Sequence, residues 1–142
     1  MSLSAGVHSV LVTPFGSDES LDEASLRSLV GYYVSSGVAG VLVLGVLGEA
    51  EKLSDAERER EQAAALAHAG GRVQVTVGVS AASTVLTAER ALIAERAGAS
   101  AVMVAPPAES VAGPVLGNHF RRIGERLSIP VVVQDLPAVG GV

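Results

Sequence analysis

The sequence predicts an α/β fold built on a parallel sheet, and two observations support this prediction. Short apolar segments alternate with segments of helical periodicity, and the apolar segments begin near residues 7, 38, 73, 101 and 129. Such alternation is typical of βαβ units. The apolar segments are almost continuously apolar, which a parallel sheet that is covered on both faces requires. We see no linker or second domain in residues 1–142, so we expect one domain.

The first βαβ unit occupies the first third of the chain. Val7–Val12 is a short apolar run that ends at Thr13-Pro14, because proline cannot donate to a sheet ladder. A helix is predicted next, with Asp22 as its N-cap and Gly37 at its end. Val38–Leu44 is the second predicted strand. The apolar face of the helix has five residues at helical spacing: Leu26, Leu29, Val30, Tyr33 and Val34.

The later elements continue the same alternation. Ser54 and Glu57 fit a capping box that opens an alanine-rich helix, and Gly70-Gly71 ends this helix. The remaining predicted elements are a strand at Val73–Val79, a helix that follows Ser83 or Thr84 and runs to Ala97, a strand at Ala101–Ala105, a helix at Gly117–Leu127 and a strand at Ile129–Val133.

Two architectures fit this order of elements. A doubly wound sheet of the flavodoxin type needs five strands, and the length of the chain favours it. A (β/α)₈ barrel needs typically ~250 residues, so the chain would supply only five strands and four helices of one. The lack of room for a fifth helix after the last strand favours the barrel. Periodicity alone leaves both architectures open.

Composition argues against several classes of partner. The formal net charge is −5, from 10 basic and 15 acidic residues, and the arginines are scattered. A nucleic-acid partner needs a clustered basic surface, so we expect none. The apolar runs fall far short of the ~20 residues of a membrane span, and the first residues lack an export signal. We therefore expect a soluble protein located in the cytoplasm, without a membrane partner.

No metal or organic cofactor is implied. The chain has no cysteine, which removes thiolate ligands and thiol nucleophiles. His8, His68 and His119 are dispersed without metal-ligand spacing. We expect His8 to be a hydrogen-bonded core residue, and the other two histidines to lie on helix surfaces.

The most informative motif is Gly45-Val46-Leu47-Gly48-Glu49, at the carboxyl end of the second predicted strand. Two glycines three residues apart allow a tight turn whose N–H groups suit a small carboxylate or phosphate. A plain strand-to-helix turn explains the same residues. The motif is neither a P-loop nor a dinucleotide fingerprint.

The charged stretch from Glu49 to Glu61 is expected to be a solvated helix face. It contains Lys52, which is the only lysine of the chain. A Schiff-base lysine must be desolvated so that its amine is neutral. Nearby carboxylates would keep Lys52 charged, so we do not expect it to be a nucleophile.

Taken together, the strand-end residues resemble the amino-terminal part of the dihydrodipicolinate synthase/N-acetylneuraminate lyase family. Each landmark is weak, but their order and spacing match over nearly the whole chain. The resemblance implies a (β/α)₈ barrel, of which this chain supplies the first five strands and four helices, and a Schiff base with pyruvate or a related 2-keto acid. The landmarks are Thr13-Pro14-Phe15, Asp22, Gly45-x-x-Gly48-Glu49, Leu53-Ser54-x-x-Glu57-Arg58, Gly78-Val79, Gly98-Ala99, Pro106-Pro107, His119-Phe120, Ile129-Pro130-Val131 and Pro137.

The departures from the family pattern concern the groups that handle protons. The family usually has Gly-Thr-Thr-Gly-Glu after strand two, where the hydroxyls bind the keto-acid carboxylate and relay protons, whereas Val46 and Leu47 stand here. Gln134 occupies the position of the usual tyrosine after strand five. Ala108 and Glu109 replace the paired tyrosines that often follow the fourth-strand proline. The Schiff-base lysine belongs on strand six, which these residues do not reach.

Three functional hypotheses follow. The leading one is a divergent lyase or aldolase of this family, with the keto acid held by Gly45, Val46, Leu47 and Gly48 and with Gln134 at the catalytic tyrosine position. The second is a non-catalytic homologue, and the third is a small flavodoxin-like binding domain.

A barrel cut after strand five would expose two sheet edges. We therefore expect either a polypeptide that continues past Val142 or copies that cover each other, and a homo-oligomer.

Overall fold

The computed structural model describes residues 2–107 and 113–135. Its strands are β1 (His8–Val10), β2 (Gly40–Val43), β3 (Gln74–Gly78), β4 (Ala101–Val104) and β5 (Val131–Val133). Its α-helices are α1 (Glu23–Ser35), α2 (Asp55–Ala69), α3 (Thr84–Ala97) and α4 (Pro114–Gly124). Two short 3₁₀ turns, Val46–Gly48 and Ala50–Lys52, join β2 to α2.

The five strands form one parallel sheet in the order β1-β2-β3-β4-β5. Each strand therefore pairs with its neighbours along the chain, for example Val41 with Val75 and Val77 with Val102. A flavodoxin-like sheet has the order 2-1-3-4-5. The doubly wound alternative was therefore wrong, and the described strands and helices are those of the first part of a barrel.

The core lies between one face of the sheet and the four helices. Alternate strand residues, including Val41, Val43, Val75 and Val77, pack against apolar residues of all four helices. Because side chains alternate along a strand, Leu42 lies on the opposite face. Each fully buried Val or Leu stabilises the fold by about 1.5–3 kcal/mol. The helical contribution comes from Leu26, Val30, Ala65, Ala69, Ala88, Ala91, Ala94 and Ile123.

Most helix boundaries follow the predicted signals. Asp22 caps α1 by accepting the backbone N–H of Ser25, and Ser54 and Glu57 form the complete capping box of α2. Gly98 ends α3 in the left-handed conformation. Helix α4 is the exception, because it begins at Pro114 instead of residue 117 and ends at Gly124 instead of residue 127. Proline suits the first turn of a helix, where its missing N–H costs no hydrogen bond.

The borders of the described sheet are β1 and β5, and both expose apolar side chains. Val10 and Val12 are exposed at the β1 border, and Val133 is exposed at the β5 border. Within residues 2–107 and 113–135, no helix is long and apolar enough to cross a membrane.

Candidate functional site

The loops that follow the five strands meet at the carboxyl edge of the sheet. Hydrogen bonds across this edge continue beyond the strands themselves. The Ala105 amide donates to the Ser80 hydroxyl oxygen at 2.8 Å, and the Gln134 amide donates to the Val104 carbonyl at 2.9 Å. The structure therefore places Gln134 at the same edge as the turn that follows β2. In barrels this edge carries the active site.

The Gly45–Gly48 turn is a single 3₁₀ turn at this edge. The Gly48 amide donates to the Gly45 carbonyl at 3.0 Å, and both glycines are buried. Val46 and Leu47 lie at the apex with 49% and 63% of their surface exposed. A Cβ on Gly48 would lie 3.2 Å from the Thr13 hydroxyl oxygen, which shows how closely the turn packs on the end of β1.

The turn is flanked by two strained residues. Leu44 and Glu49 have φ angles of 57° and 52°, in the left-handed region that residues other than glycine rarely adopt. Such residues cost on the order of 1–3 kcal/mol each and persist only where the surroundings hold them. Gly78 of β3 contributes to this hold, since a Cβ there would collide with the Leu44 carbonyl oxygen.

Arg58 of α2 connects the loop after β2 to the end of β3. Its Nη1 donates to the Ala50 carbonyl at 2.7 Å and its Nη2 donates to the Gly78 carbonyl at 2.8 Å. Burial, followed by the nearby charge of Arg90, lowers the pKa of Arg58 to about 10. The guanidinium therefore remains charged at neutral pH.

Glu61 of α2 lies beneath the turn and is completely buried. Its Oε2 is 3.0 Å from the hydroxyl oxygen of Thr13, and that hydroxyl is 2.5 Å from the Gly48 carbonyl oxygen. Among the described residues, Oε1 of Glu61 has no hydrogen-bond partner. Burial raises the pKa of Glu61, while the Thr13 hydroxyl, the Leu44 backbone and Arg58 oppose this shift.

The prediction of a solvated helix face from residue 49 to residue 61 was therefore wrong for Arg58 and Glu61. Sequence reasoning missed them because charged residues are seldom buried. A signal was nevertheless present, since the buried residues of α2 follow helical spacing. They are Arg58, Glu61, Gln62, Ala65 and Ala69.

The prediction that nearby carboxylates keep Lys52 charged is confirmed. Its side chain is exposed, and its Nζ lies 2.5 Å from Glu49 Oε2. The hydrogen bond to Glu49 is the main cause of its raised pKa, with a smaller effect of Glu51. Lys52 therefore carries a proton at neutral pH.

His119 was predicted on the surface, and this was wrong. It is 6% exposed, its Nδ1 lies 2.9 Å from the Thr84 hydroxyl oxygen, and its ring contacts Phe120 edge-on. Burial lowers its pKa.

In the described part of the chain, no group of three or more metal-ligating side chains could hold a metal ion. Ala108, Glu109 and Pro137 lie outside the described residues.

The consecutive parallel sheet, with its helices on one face and its loops gathered at the carboxyl edge, defines the class: this is part of a (β/α) barrel whose candidate site lies at that edge. A sequence model of the dihydrodipicolinate synthetase family matches residues 3–142. The chain belongs to this family.

Individual relatives agree with this assignment. The chain is 38% identical over 135 residues to a 4-hydroxy-tetrahydrodipicolinate synthase from Methylobacterium radiotolerans, covering 93% of this chain and 44% of the relative. A solved dihydrodipicolinate synthase from Rhodopseudomonas palustris is 36% identical, with a TM-score of 0.87 over 95% of this chain and 45% of that one. A prophage protein of the same family from E. coli K12, solved in complex with pyruvate, is 28% identical, with a TM-score of 0.93 over 98% of this chain and 47% of that one. The chain thus spans less than half the length of these relatives.

Proposed function

We propose that this chain is part of a lyase or aldolase that acts on pyruvate or a related 2-keto acid through a Schiff base. One observation carries the proposal. The Gly45–Gly48 turn lies at the carboxyl edge of a sheet that superimposes with a TM-score of 0.93 on a family member solved with pyruvate. Residues 1–142 would then form the first part of one barrel domain, with strands one to five.

The turn can hold the carboxylate of a keto acid through its backbone. The first N–H groups of a helical turn lack partners within the turn, so the amides of Val46 and Leu47 are suited to an anion. The side chains of these two residues are apolar and supply no hydroxyl. Gln134 can donate a hydrogen bond to the bound acid, but its amide cannot exchange a proton at neutral pH.

The reacting amine has to come from outside the 142 residues. In Schiff-base formation, a neutral amine attacks the keto carbon, one proton is taken up and water leaves, so an iminium forms. Lys52 is the only lysine present, and its amine is protonated and paired with Glu49. We therefore place the reactive lysine on a later strand of the barrel.

Borohydride trapping tests this proposal on the whole natural polypeptide, produced as the wild type and as Lys52→Met. Borohydride delivers hydride to the iminium and leaves a stable secondary amine, so pyruvate should add one reduced adduct per chain. Peptide mapping should place the adduct on a lysine outside residues 1–142, and Lys52→Met should be trapped as efficiently as the wild type. Propionate, which has no keto group, is the control ligand. No adduct from any 2-keto acid, or an adduct confined to Lys52, contradicts the proposal.

A second candidate function is keto-acid binding without catalysis. The exposed apolar side chains of Val46 and Leu47, together with the amide of Gln134, favour it because none of the three can relay a proton. Calorimetry distinguishes the two functions. Heat of binding with pyruvate but no trapped adduct would identify a non-catalytic homologue.

We also propose that the protein works as a homo-oligomer in the cytoplasm, with a small-molecule partner. The exposed valines at the β1 and β5 borders support burial against further protein. Sedimentation velocity on the purified protein measures the assembly state, and a monomer at all concentrations contradicts this part of the proposal.

A further inference from the structure

The carboxyl group of Glu61 reaches the Gly45–Gly48 turn through a chain of two contacts. It lies 3.0 Å from the Thr13 hydroxyl oxygen, which lies 2.5 Å from the carbonyl oxygen of Gly48. Glu61 has no exposed surface and Thr13 is 7% exposed. Water is therefore largely excluded from this chain of contacts, and the hydrogens must come from the residues themselves.

Counting hydrogens along the chain assigns a proton to Glu61. The carbonyl of Gly48 can only accept, and the Thr13 hydroxyl has a single hydrogen to donate. The shorter contact joins Thr13 to Gly48, so that hydrogen belongs there. The contact between Thr13 and Glu61 then requires a hydrogen on the carboxyl group. An ionised Glu61 would leave two oxygen atoms facing each other with no hydrogen between them.

The surroundings of Glu61 compensate a negative charge only in part, because burial outweighs the Thr13 hydroxyl, the Leu44 backbone and Arg58, which favour the carboxylate. Arg58 is the one cation near it among the described residues, and its Nη1 and Nη2 are engaged by the carbonyls of Ala50 and Gly78. The other groups that face Glu61 are the Thr13 hydroxyl and the Leu44 backbone. A buried carboxylate normally accepts several hydrogen bonds, yet Oε1 has no partner in the described part of the chain.

We propose that Glu61 is a positioning residue whose protonated carboxyl donates to Thr13, so that Thr13 donates to Gly48 and holds the Gly45–Gly48 turn on the end of β1. Loss of this proton makes the Thr13 hydroxyl turn towards the carboxylate, and the Gly48 carbonyl loses its donor. The effect on keto-acid binding rests on the function proposed above, whereas the hydrogen-bond chain does not.

The proposal predicts the direction of a pH effect. Burial raises the pKa of Glu61 above its ordinary 4.5. Between pH 4.5 and the pKa of Glu61 in the folded protein, the folded state binds more protons than the unfolded state, so stability falls as pH rises. The stabilisation that this proton contributes is complete below pH 4.5 and is lost as pH rises through the pKa of Glu61 in the folded protein.

Carbon-13 NMR of glutamate-labelled protein measures the proton on Glu61 directly, and Glu61→Gln assigns its signal. The expected midpoint lies above 4.5, whereas Glu57 of the same helix, which accepts from Ser54, is the internal control with a midpoint below 4.5. A Glu61 midpoint at or below 4.5 overturns the proposal.

Two variants separate positioning from simple packing. Glu61→Gln keeps a donor for Thr13 and has no charge, so the pH-dependent loss of stability should vanish while the amide signals of residues 45–49 stay in place. Thr13→Val breaks the chain at its centre, and it should weaken pyruvate binding about tenfold, while Glu61→Gln binds as the wild type does. A Glu61→Gln protein that keeps the pH slope, or whose turn signals move, contradicts the proposal. A wild type that does not bind pyruvate contradicts the proposed function alone, since the NMR midpoint still decides the role of Glu61.

Discussion

Arg58 ties helix α2 to the end of strand β3, because its Nη2 donates to the carbonyl of Gly78 at 2.8 Å. The same guanidinium donates to Ala50 in the loop that follows β2. One buried cation thus fixes the distance between two neighbouring loops of the candidate site. The strained backbone of Leu44 and Glu49 lies in the segment that Arg58 holds.

Arg58→Met should destabilise the protein by about 3 kcal/mol, because two buried carbonyls lose a charged donor. Methionine keeps much of the aliphatic stem, so the loss reflects the hydrogen bonds more than packing. The free energy of unfolding in urea measures the effect. Arg122→Met, at an exposed position of α4, is the matched control and should change stability by less than about 0.5 kcal/mol. Equal effects of the two substitutions would contradict the role of Arg58.

Gly78→Ala should cost about 1–3 kcal/mol, because the new Cβ collides with the carbonyl oxygen of Leu44. The matched control is Gly117→Ala in α4, where a Cβ meets nothing within 4 Å. There the substitution should stabilise the helix by about 0.5–1 kcal/mol. Urea unfolding of both variants checks the prediction, and a neutral Gly78→Ala would show that β3 and the turn are packed less tightly than described.

His119 should make the protein less stable as the pH falls below 6.5, the ordinary pKa of histidine. Burial lowers its pKa in the folded protein, so the unfolded chain binds the proton more readily in this range. The contribution of His119 to stability is therefore complete above pH 6.5 and is lost as pH falls through the pKa of His119 in the folded protein. His119→Gln should abolish this pH-dependent part of the stability, measured by urea unfolding of variant and wild type at several pH values. His68→Gln on α2 should retain it, and loss of the component in both variants would contradict the assignment to His119.

The double substitution Val46→Thr with Leu47→Thr should strengthen binding of pyruvate. Each hydroxyl that reaches the carboxylate of the acid adds a hydrogen bond to a charged group, and about 1.4 kcal/mol corresponds to a tenfold gain in affinity. Both side chains are more than 40% exposed, so we expect little change in stability. Calorimetry with pyruvate measures the gain. Val46→Ala with Leu47→Ala is the control, and an equal gain there would show that side-chain size, and not the hydroxyl, governs access to the turn.

The sequence was most informative where a structural signal is local. The caps at Asp22 and Ser54 were recognised, and Ser83 was one of the two candidates for the cap of α3, since each cap needs only the residues of one helical turn. The position of Gly45–Gly48 at the end of a strand followed from the apolar run before it. The start of α4 was missed by three residues, because the first turn of this helix begins at Pro114.

The burial of Glu61 was not predictable in the same way. Its partner Thr13 is 48 residues away in the sequence, and the two meet only when β1 and α2 pack on the same part of the sheet. His119 is a similar case, since Thr84 is 35 residues distant. In both cases, a contact with a neighbouring element decides whether a polar side chain on a helix is solvated or buried.

The sequence by itself determined the alternation of strands and helices and the glycine turn after β2, because hydrophobic periodicity, helix caps and tight turns depend on neighbouring residues. The tertiary structure decided the strand order β1-β2-β3-β4-β5, which excluded the flavodoxin-like alternative. It also decided that Arg58 and Glu61 face inwards beneath the turn. Pairing between strands and the desolvation of charged groups depend on contacts between distant parts of the chain, and only the folded arrangement specifies these contacts.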